Sequence, residues 1–264
     1  MLIEHFNAFL NHIGLNQRDV FYFWPKDQNA ELEDAVNLRF DGYHNRMLTA
    51  LRRNDNDALM EVMRQILLWG GIIRWNEEEQ EYRNDLRDET YTLFASILRR
   101  LYNHWNDNQL FDGGRLLVGG DFVLANTNTQ ISYSCPVCTQ TTLSSWTKIL
   151  AAFDTRRFWI YDSRVAIALS FIYANEHIWF IPGANNAEAN RLRGEIIQAR
   201  GNNAGNPTDS YRLYLEKMRG IRNGNPVNRR HYEKKLFVLG GLLTDYFTMS
   251  RSIHGESGIN MFFN

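Results

Sequence analysis

Apolar residues recur three and four positions apart over most of this chain, which leaves room for little besides helices. In the stretch 85–105, for example, the repeat is carried by Phe94, Ile97, Leu98 and Leu101. That interval places apolar side chains on one face of an α-helix. Only 5 prolines occur in 264 residues, so few points interrupt a helix. The sequence therefore predicts a mainly α-helical fold.

The same spacing predicts where the helices lie. We expect them over 1–15, 30–53, 56–69, 85–105, 146–153, 163–173, 187–199, 210–218 and 232–249. Between the helices predicted over 85–105 and 146–153, residues 116–143 are rich in Val, Thr and Asn and poor in helix formers. We interpret this segment as a long irregular connector that can include a short strand or two. The chain is predicted to form a single domain, 1–264, with lobes of about 1–112 and 113–264.

Composition restricts the class of protein further. Hydrophobic residues make up 44% of the chain, enough to bury a sizeable core. The first residues lack the basic start and continuous apolar run of a signal peptide, and no stretch is as long as a membrane span. The 2 cysteines do not make a disulfide framework. We expect a cytoplasmic protein, a monomer with no membrane partner.

Charge is distributed unevenly along the chain. The formal net charge is −1. Residues 186–235 contain 11 Lys and Arg against 5 Asp and Glu, which leaves +6 in that stretch. The early part of the chain is acidic, with four glutamates within 77–81. Such asymmetry favours a protein with one side that faces a polyanion, although basic helices are usually only solvated.

The segment 142–173 carries the chemistry. Ser144 or Ser145 is expected to cap a short helix that begins near Trp146 and has Lys148 in its first turn. After a turn at 154–157, residues 158–161 can return as an extended strand and bring Asp162 beside the start of that helix. Asp162 would itself open the next helix. The spacing thus predicts that Lys148 and Asp162 face one cleft between two helix N-termini.

Two helix N-termini would create a positive, hydrogen-bond-donating site. Their unpaired N–H groups can hold phosphates, and their field favours an ionised carboxylate and a neutral amine. A neutral Lys148 amine can attack a sugar carbon. A fixed Asp162 carboxylate can stabilise the positive charge on deoxyribose as a glycosidic bond breaks.

The motif Tyr161-Asp162-Ser163-Arg164-Val165 resembles the catalytic Val-Asp-Thr-His-Val type motif of the helix-hairpin-helix DNA glycosylases. The resemblance covers about residues 139–175. It implies a two-lobed helical bundle of that type, with Asp162 as the catalytic aspartate. Lys148 resembles the Schiff-base lysine of the bifunctional members. The implied DNA contacts are Ser144, Ser145, Trp146 and Thr147 in the hairpin, and Arg164 on the next helix.

This sequence departs from the family in three respects. Leu143-Ser144-Ser145-Trp146-Thr147 replaces the glycine-containing hairpin, and the lysine-to-aspartate spacing of 14 is about one turn shorter than in the lyase members. The iron–sulfur cysteines of some members are absent, so no metal or other cofactor is expected. A divergent branch is implied, similar to the bacterial phage-defence glycosylases that remove glucosylated hydroxymethylcytosine. The expected partner is duplex DNA with a modified base.

Several alternatives remain open. Asp162 can be a simple N-cap, the commonest role of Asp before a helix. The protein can be a bifunctional oxidised-base glycosylase with Lys148 as nucleophile, or a non-catalytic DNA-binding module of the same fold. Cys135 and Cys138 form a CxxC pair that would suit half a zinc site or a redox pair, but no second CxxC exists. We interpret these cysteines as structural or fortuitous.

Overall fold

The computed structural model of this chain describes residues 33–83, 85–106, 116–118, 121–126, 129–134, 139–154, 158–220 and 226–263. This part of the protein is mainly α-helical, as the apolar spacing predicts. The helices are α1 (Glu33–Arg53), α2 (Asn56–Trp69), α3 (Asp88–Asn106), α4 (Leu143–Phe153), α5 (Ser163–Ile172), α6 (Ala187–Ala199), α7 (Pro207–Gly220) and α8 (Pro226–His254). The predicted helix over 1–15 lies outside the described residues, and so do Cys135 and Cys138.

Side-chain caps explain why two helices begin at the predicted residue. Asp55 precedes α2, and its carboxylate accepts a hydrogen bond from the N–H of Ala58 at 2.9 Å. Asn186 precedes α6 in the same way and accepts from Glu188 N–H at 2.8 Å. Such caps satisfy amides that have no partner within the helix. No described helix has the length and apolarity needed to cross a membrane.

Two small antiparallel sheets accompany the helices. β1 (Arg74–Asn76) pairs with β2 (Glu81–Arg83). β3 (Leu116–Val118), β4 (Asp121–Asn126) and β5 (Thr129–Ser134) form a three-stranded sheet in that order. The expected connector over 116–143 allowed a short strand or two, whereas these residues form a regular sheet of three strands. Branched and aromatic residues such as Val123, Ile131 and Tyr133 favour strands, and here they form a regular ladder.

The described chain divides into two compact units that are interleaved in sequence. One, which we call the Asp162 unit, comprises 33–36, 162–206 and 226–263. The other, the Lys148 unit, comprises the described residues of 37–161 together with 207–220. This division differs from lobes that meet near residue 112, because the chain passes from one unit to the other more than once.

The Lys148 unit packs its helices around α2, which contacts both α3 and α4. The side chains of α4 are buried along its entire length. Phe94 of α3 and Trp146 of α4 meet in this core with ring centroids 5.0 Å apart. Because α4 has no face in contact with water, it forms the centre of its unit.

The Asp162 unit is built on the long helix α8. Its most extensive contact is with α5, and it also packs against α6. Phe171 of α5 stacks on Phe247 of α8 with centroids 5.2 Å apart. On the side towards α6, Arg251 of α8 forms ion pairs with Glu188 (2.6 Å) and Glu195 (2.9 Å). Aromatic and ionic contacts thus hold the neighbours of α5 in place.

Candidate active site

Asp162 immediately precedes α5 and is its N-cap residue. Its backbone is extended (φ −114°, ψ −175°), and its Oδ1 atom accepts hydrogen bonds from the N–H groups of Arg164 and Val165, both at 3.1 Å. This confirms the prediction that Asp162 opens the second helix of the motif. The two bonds fix the carboxylate at the positive end of α5. The residue is 8% exposed, so most of its surface is covered by the protein.

Arg164 lies on the first turn of α5 and packs its guanidinium group on an aromatic ring. The Cζ atom lies 4.5 Å from the centroid of Phe237 on α8. Phe237 is buried, whereas Arg164 is half-buried. A guanidinium group in this position gains a cation–π interaction. The side chain predicted to contact DNA thus also joins α5 to α8.

The chain before Asp162 returns along α4, as predicted. The hydroxyl of Thr147 accepts a hydrogen bond from the N–H of Tyr161 at 3.0 Å. It also lies 3.2 Å from the carbonyl oxygen of Tyr161 and 3.2 Å from that of Ser144. Both Thr147 and Tyr161 are fully buried. The return segment is therefore held at the residue that comes directly before Asp162 in the chain.

The start of α4 differs from the sequence prediction. The helix begins at Leu143 with Thr142 as its N-cap residue, so Ser144 and Ser145 lie inside the helix and do not cap it. A turn closes earlier because Leu143 N–H bonds to the carbonyl of Thr139. Lys148 consequently lies in the second turn of the helix and not in the first. It is further from the helix N-terminus than expected, and at that distance the field of the helix is weaker.

Lys148 is buried, with 2% of the residue exposed. Its Nζ atom donates a hydrogen bond to Ser144 Oγ at 3.0 Å, one turn earlier in α4. Its aliphatic stem passes close to Gly70, the residue that follows α2. A Cβ added there would lie 2.6 Å from Lys148 Cδ. Gly70 therefore leaves the space that the lysine stem occupies, a role that the sequence shows only as a helix stop.

The predicted hairpin contacts with DNA have packing roles in this structure. Trp146 and Thr147 are fully buried, Ser145 is 2% exposed and Ser144 is 9% exposed. Buried side chains cannot reach a phosphate unless the helix is rearranged. DNA contact by these four residues stays a prediction. So does a shared cleft, since Lys148 and Asp162 belong to different units.

Two tyrosines of α7 belong to the surroundings of the motif, and sequence reasoning missed them. Tyr211 donates a hydrogen bond to the carbonyl of Trp159 at 3.3 Å. Tyr214 lies one turn later, and its ring centroid is 5.5 Å from that of Tyr161. The signal was the pair of aromatics at i and i+3 on one helix face. Both residues contact the return segment from a helix that lies far along the chain from α4.

Several cations of the basic stretch 186–235 are used within the protein. Arg193 Nε donates to the carbonyl of Ile181 at 2.7 Å, and Arg200 Nη1 donates to that of Trp179 at 3.2 Å. Lys234 is 2% exposed. These groups support loops and helix packing. The excess charge of the sequence thus overstates the charge that this stretch offers to a polyanion.

An open groove lies at the other end of α5 from Asp162. Its volume is about 570 Å³, and its polar rim contains Asn175, Glu176, His177, Asn203 and Asn206. α5 spans 10 residues, or about 15 Å at 1.5 Å per residue. The groove is therefore too far along the helix to hold a sugar that contacts the Asp162 carboxylate.

No family model matches this chain, and neither a curated protein nor a solved structure matches it. In the part of the chain that the structure describes, no group of three or more His, Cys, Asp or Glu side chains is placed to hold a metal ion.

Proposed function

We propose that this protein is a DNA glycosylase that removes a modified base and leaves an abasic site. The observation that carries the proposal is the fixed position of Asp162. Its carboxylate caps α5 through two amides, and the residue before it is bonded to Thr147. A carboxylate held in place before the reaction needs no reorganisation when positive charge develops nearby. The motif around it resembles that of the helix-hairpin-helix glycosylases.

In the proposed reaction, the target nucleotide is turned out of the duplex, since its glycosidic bond is inaccessible in the stack. The bond between deoxyribose C1′ and the base nitrogen breaks, and its electron pair leaves with the base. Asp162 stabilises the cationic sugar and orients a water molecule. The water oxygen bonds to C1′, and its proton passes to the departing base, which leaves as the neutral species. At 8% exposure the carboxylate can meet a sugar only if the residues around it open when DNA binds.

Lys148 supports the monofunctional form of this proposal. Its amine is buried and hydrogen-bonded to Ser144, whereas a Schiff-base nucleophile must reach C1′ of the sugar. We therefore assign base release to water. Glucosylated hydroxymethylcytosine is the first substrate to test, because the motif's likeness extends to glycosylases that remove it.

The decisive experiment compares Asp162→Asn with the wild type on DNAs that carry different modified bases, with released bases identified by mass spectrometry. Asn is as good an N-cap as Asp, so the variant should keep its thermal stability and its fold. Base release should be abolished, because the neutral amide cannot stabilise the sugar cation. Wild-type release by this variant would disprove the role of Asp162.

Asp55→Asn is the matched control. It makes the same substitution at the N-cap of α2, where the Asp55 carboxylate also accepts a backbone N–H. We expect this variant to release bases at the wild-type rate. Loss of activity in both variants would point to a general effect of changed caps and not to catalysis at residue 162.

A second candidate is a non-catalytic DNA-binding module. The low exposure of Asp162 and its two cap bonds favour it, because an ordinary N-cap has the same geometry. This candidate predicts DNA affinity that falls with salt, remains unchanged in Asp162→Asn, and is accompanied by no released base from any substrate. The same two proteins and the same DNAs therefore distinguish the two functions.

A further inference from the structure

α8 touches the backbone of α5 at one glycine. If Gly240 carried a Cβ atom, that atom would lie 1.9 Å from the carbonyl oxygen of Arg164 and 2.5 Å from its carbonyl carbon. Both atoms belong to the main chain and cannot turn aside. The adjacent Gly241 is different, because a Cβ there would have nothing within 4 Å. Only the first glycine of the pair is required by contact with α5.

The side chain of Arg164 is held by the same helix. Phe237 precedes Gly240 by about one turn of α8, and its ring lies under the Arg164 guanidinium group at 4.5 Å. Hence α8 contacts Arg164 twice, at the backbone through Gly240 and at the side chain through Phe237. We call these three residues the α5 clamp.

The clamp touches the peptide group between Arg164 and Val165, and the N–H of that group is one of the two donors to the Asp162 carboxylate. Asp162 Oδ1 accepts hydrogen bonds from the N–H groups of Arg164 and Val165. Movement of the backbone at Arg164 must therefore move these donors, and the carboxylate with them. The position of the carboxylate depends on how closely α8 can approach α5.

We propose that Gly240 is a positioning residue for the Asp162 carboxylate, because it lets α8 fix the first turn of α5. This inference rests on the proposed glycosylase function. An ordinary contact of a Cβ atom is 3.4 Å or more, so the 1.9 Å contact requires the helices to separate by more than 1 Å. A displacement of about 1 Å in a catalytic group lowers the rate by about 100-fold.

The test compares Gly240→Ala with Gly241→Ala, two identical changes at adjacent positions of one helix. Single-turnover base release, kcat and KM are measured on the same DNA. In Gly240→Ala we expect kcat to fall by about 100-fold with KM changed by less than about 3-fold, because the carboxylate moves while the DNA surface remains. Gly241→Ala should match the wild type in both constants.

Amide hydrogen exchange at Arg164 and Val165 gives a readout that does not depend on catalysis. A first turn of α5 that α8 no longer holds closely should open more often, so both amides should exchange faster in Gly240→Ala and not in Gly241→Ala. Unchanged exchange and unchanged kcat in Gly240→Ala would overturn the proposal. A wild-type protein that releases no base would disprove the glycosylase function, whereas the exchange rates would still decide the clamp.

Phe237→Leu covers the case in which Gly240→Ala does not fold. It removes the aromatic ring under Arg164 but leaves the glycine contact intact. A smaller effect of the same kind is expected, with faster exchange at the two amides and a fall in kcat of several-fold at constant KM. If exchange and kcat both equal those of the wild type, the clamp does not position Asp162.

Discussion

Replacement of Thr147 by Val tests how the return segment is held. The substitution conserves shape but removes the hydroxyl that accepts from Tyr161 N–H at 3.0 Å. Both residues are fully buried, so water cannot take its place. A buried N–H group without an acceptor costs about 1–3 kcal/mol, and the lost bond from the hydroxyl proton adds about 0.5–1.5 kcal/mol. We expect the free energy of unfolding to fall by about 1.5–4.5 kcal/mol.

Thr244→Val is the matched control. Thr244 is also buried, but its hydroxyl only donates to the carbonyl of Gly240, one turn earlier in its own helix, at 2.8 Å. That carbonyl remains within reach of the backbone N–H of residue 244, so the control should lose less than about 1 kcal/mol. Urea unfolding, extrapolated linearly to water, measures both variants. If Thr147→Val loses no more than Thr244→Val, the hydroxyl does not hold the segment.

The remaining predictions concern one buried tyrosine and one buried lysine. Burial, together with a hydrogen bond to Asp85, raises the pKa of the Tyr91 hydroxyl above its ordinary value of 10.0. As the pH rises, Tyr91 ionises in the unfolded chain before it does so in the folded protein. Its contribution to the free energy of unfolding is therefore complete below about pH 10 and is lost above it. In urea melts, Tyr91→Phe should show a flatter decline between about pH 10 and pH 12 than the wild type. For Lys148, borohydride treatment of the wild-type protein on abasic DNA should trap no adduct at this residue, and a Lys148-linked peptide in the mass spectrum would restore the lyase alternative.

Helix boundaries could be predicted where a local side chain decides them. Asp55, Asn186 and Asp162 each accept amides from the turn that follows, so the cap and the helix start are close in sequence. The same holds for the extended return after α4, whose length is fixed by the number of residues available. These parts of the fold and of the candidate site need no knowledge of the rest of the chain.

The start of α4 could not be predicted from the same rule. Two serines offered plausible caps, but the turn closes at Thr139 and Leu143 through a backbone bond. Sequence alone does not show which of several polar residues begins a helix when its surroundings are buried. Lys148 therefore lies one turn further into the helix than expected, and its burial weakens the lyase alternative.

Residues whose role depends on a close tertiary contact also could not be predicted from the sequence. Gly70 leaves space for the side chain of Lys148, and Gly240 leaves space for the backbone of Arg164. The residues next to each glycine in sequence do not predict these contacts. Tyr211 reaches Trp159 from 52 residues away. Their roles arise from tertiary packing, whereas propensity and caps describe only local structure.

The burial of α4 on every side has a practical consequence for work with the purified protein. Trypsin needs several residues of extended, accessible chain around a lysine, and Lys148 lies within a helix that offers none. Cleavage after this residue should therefore follow only the opening of the Lys148 unit. The rate at which fragments that end at Lys148 appear on a gel would therefore report the opening of that unit, with or without DNA.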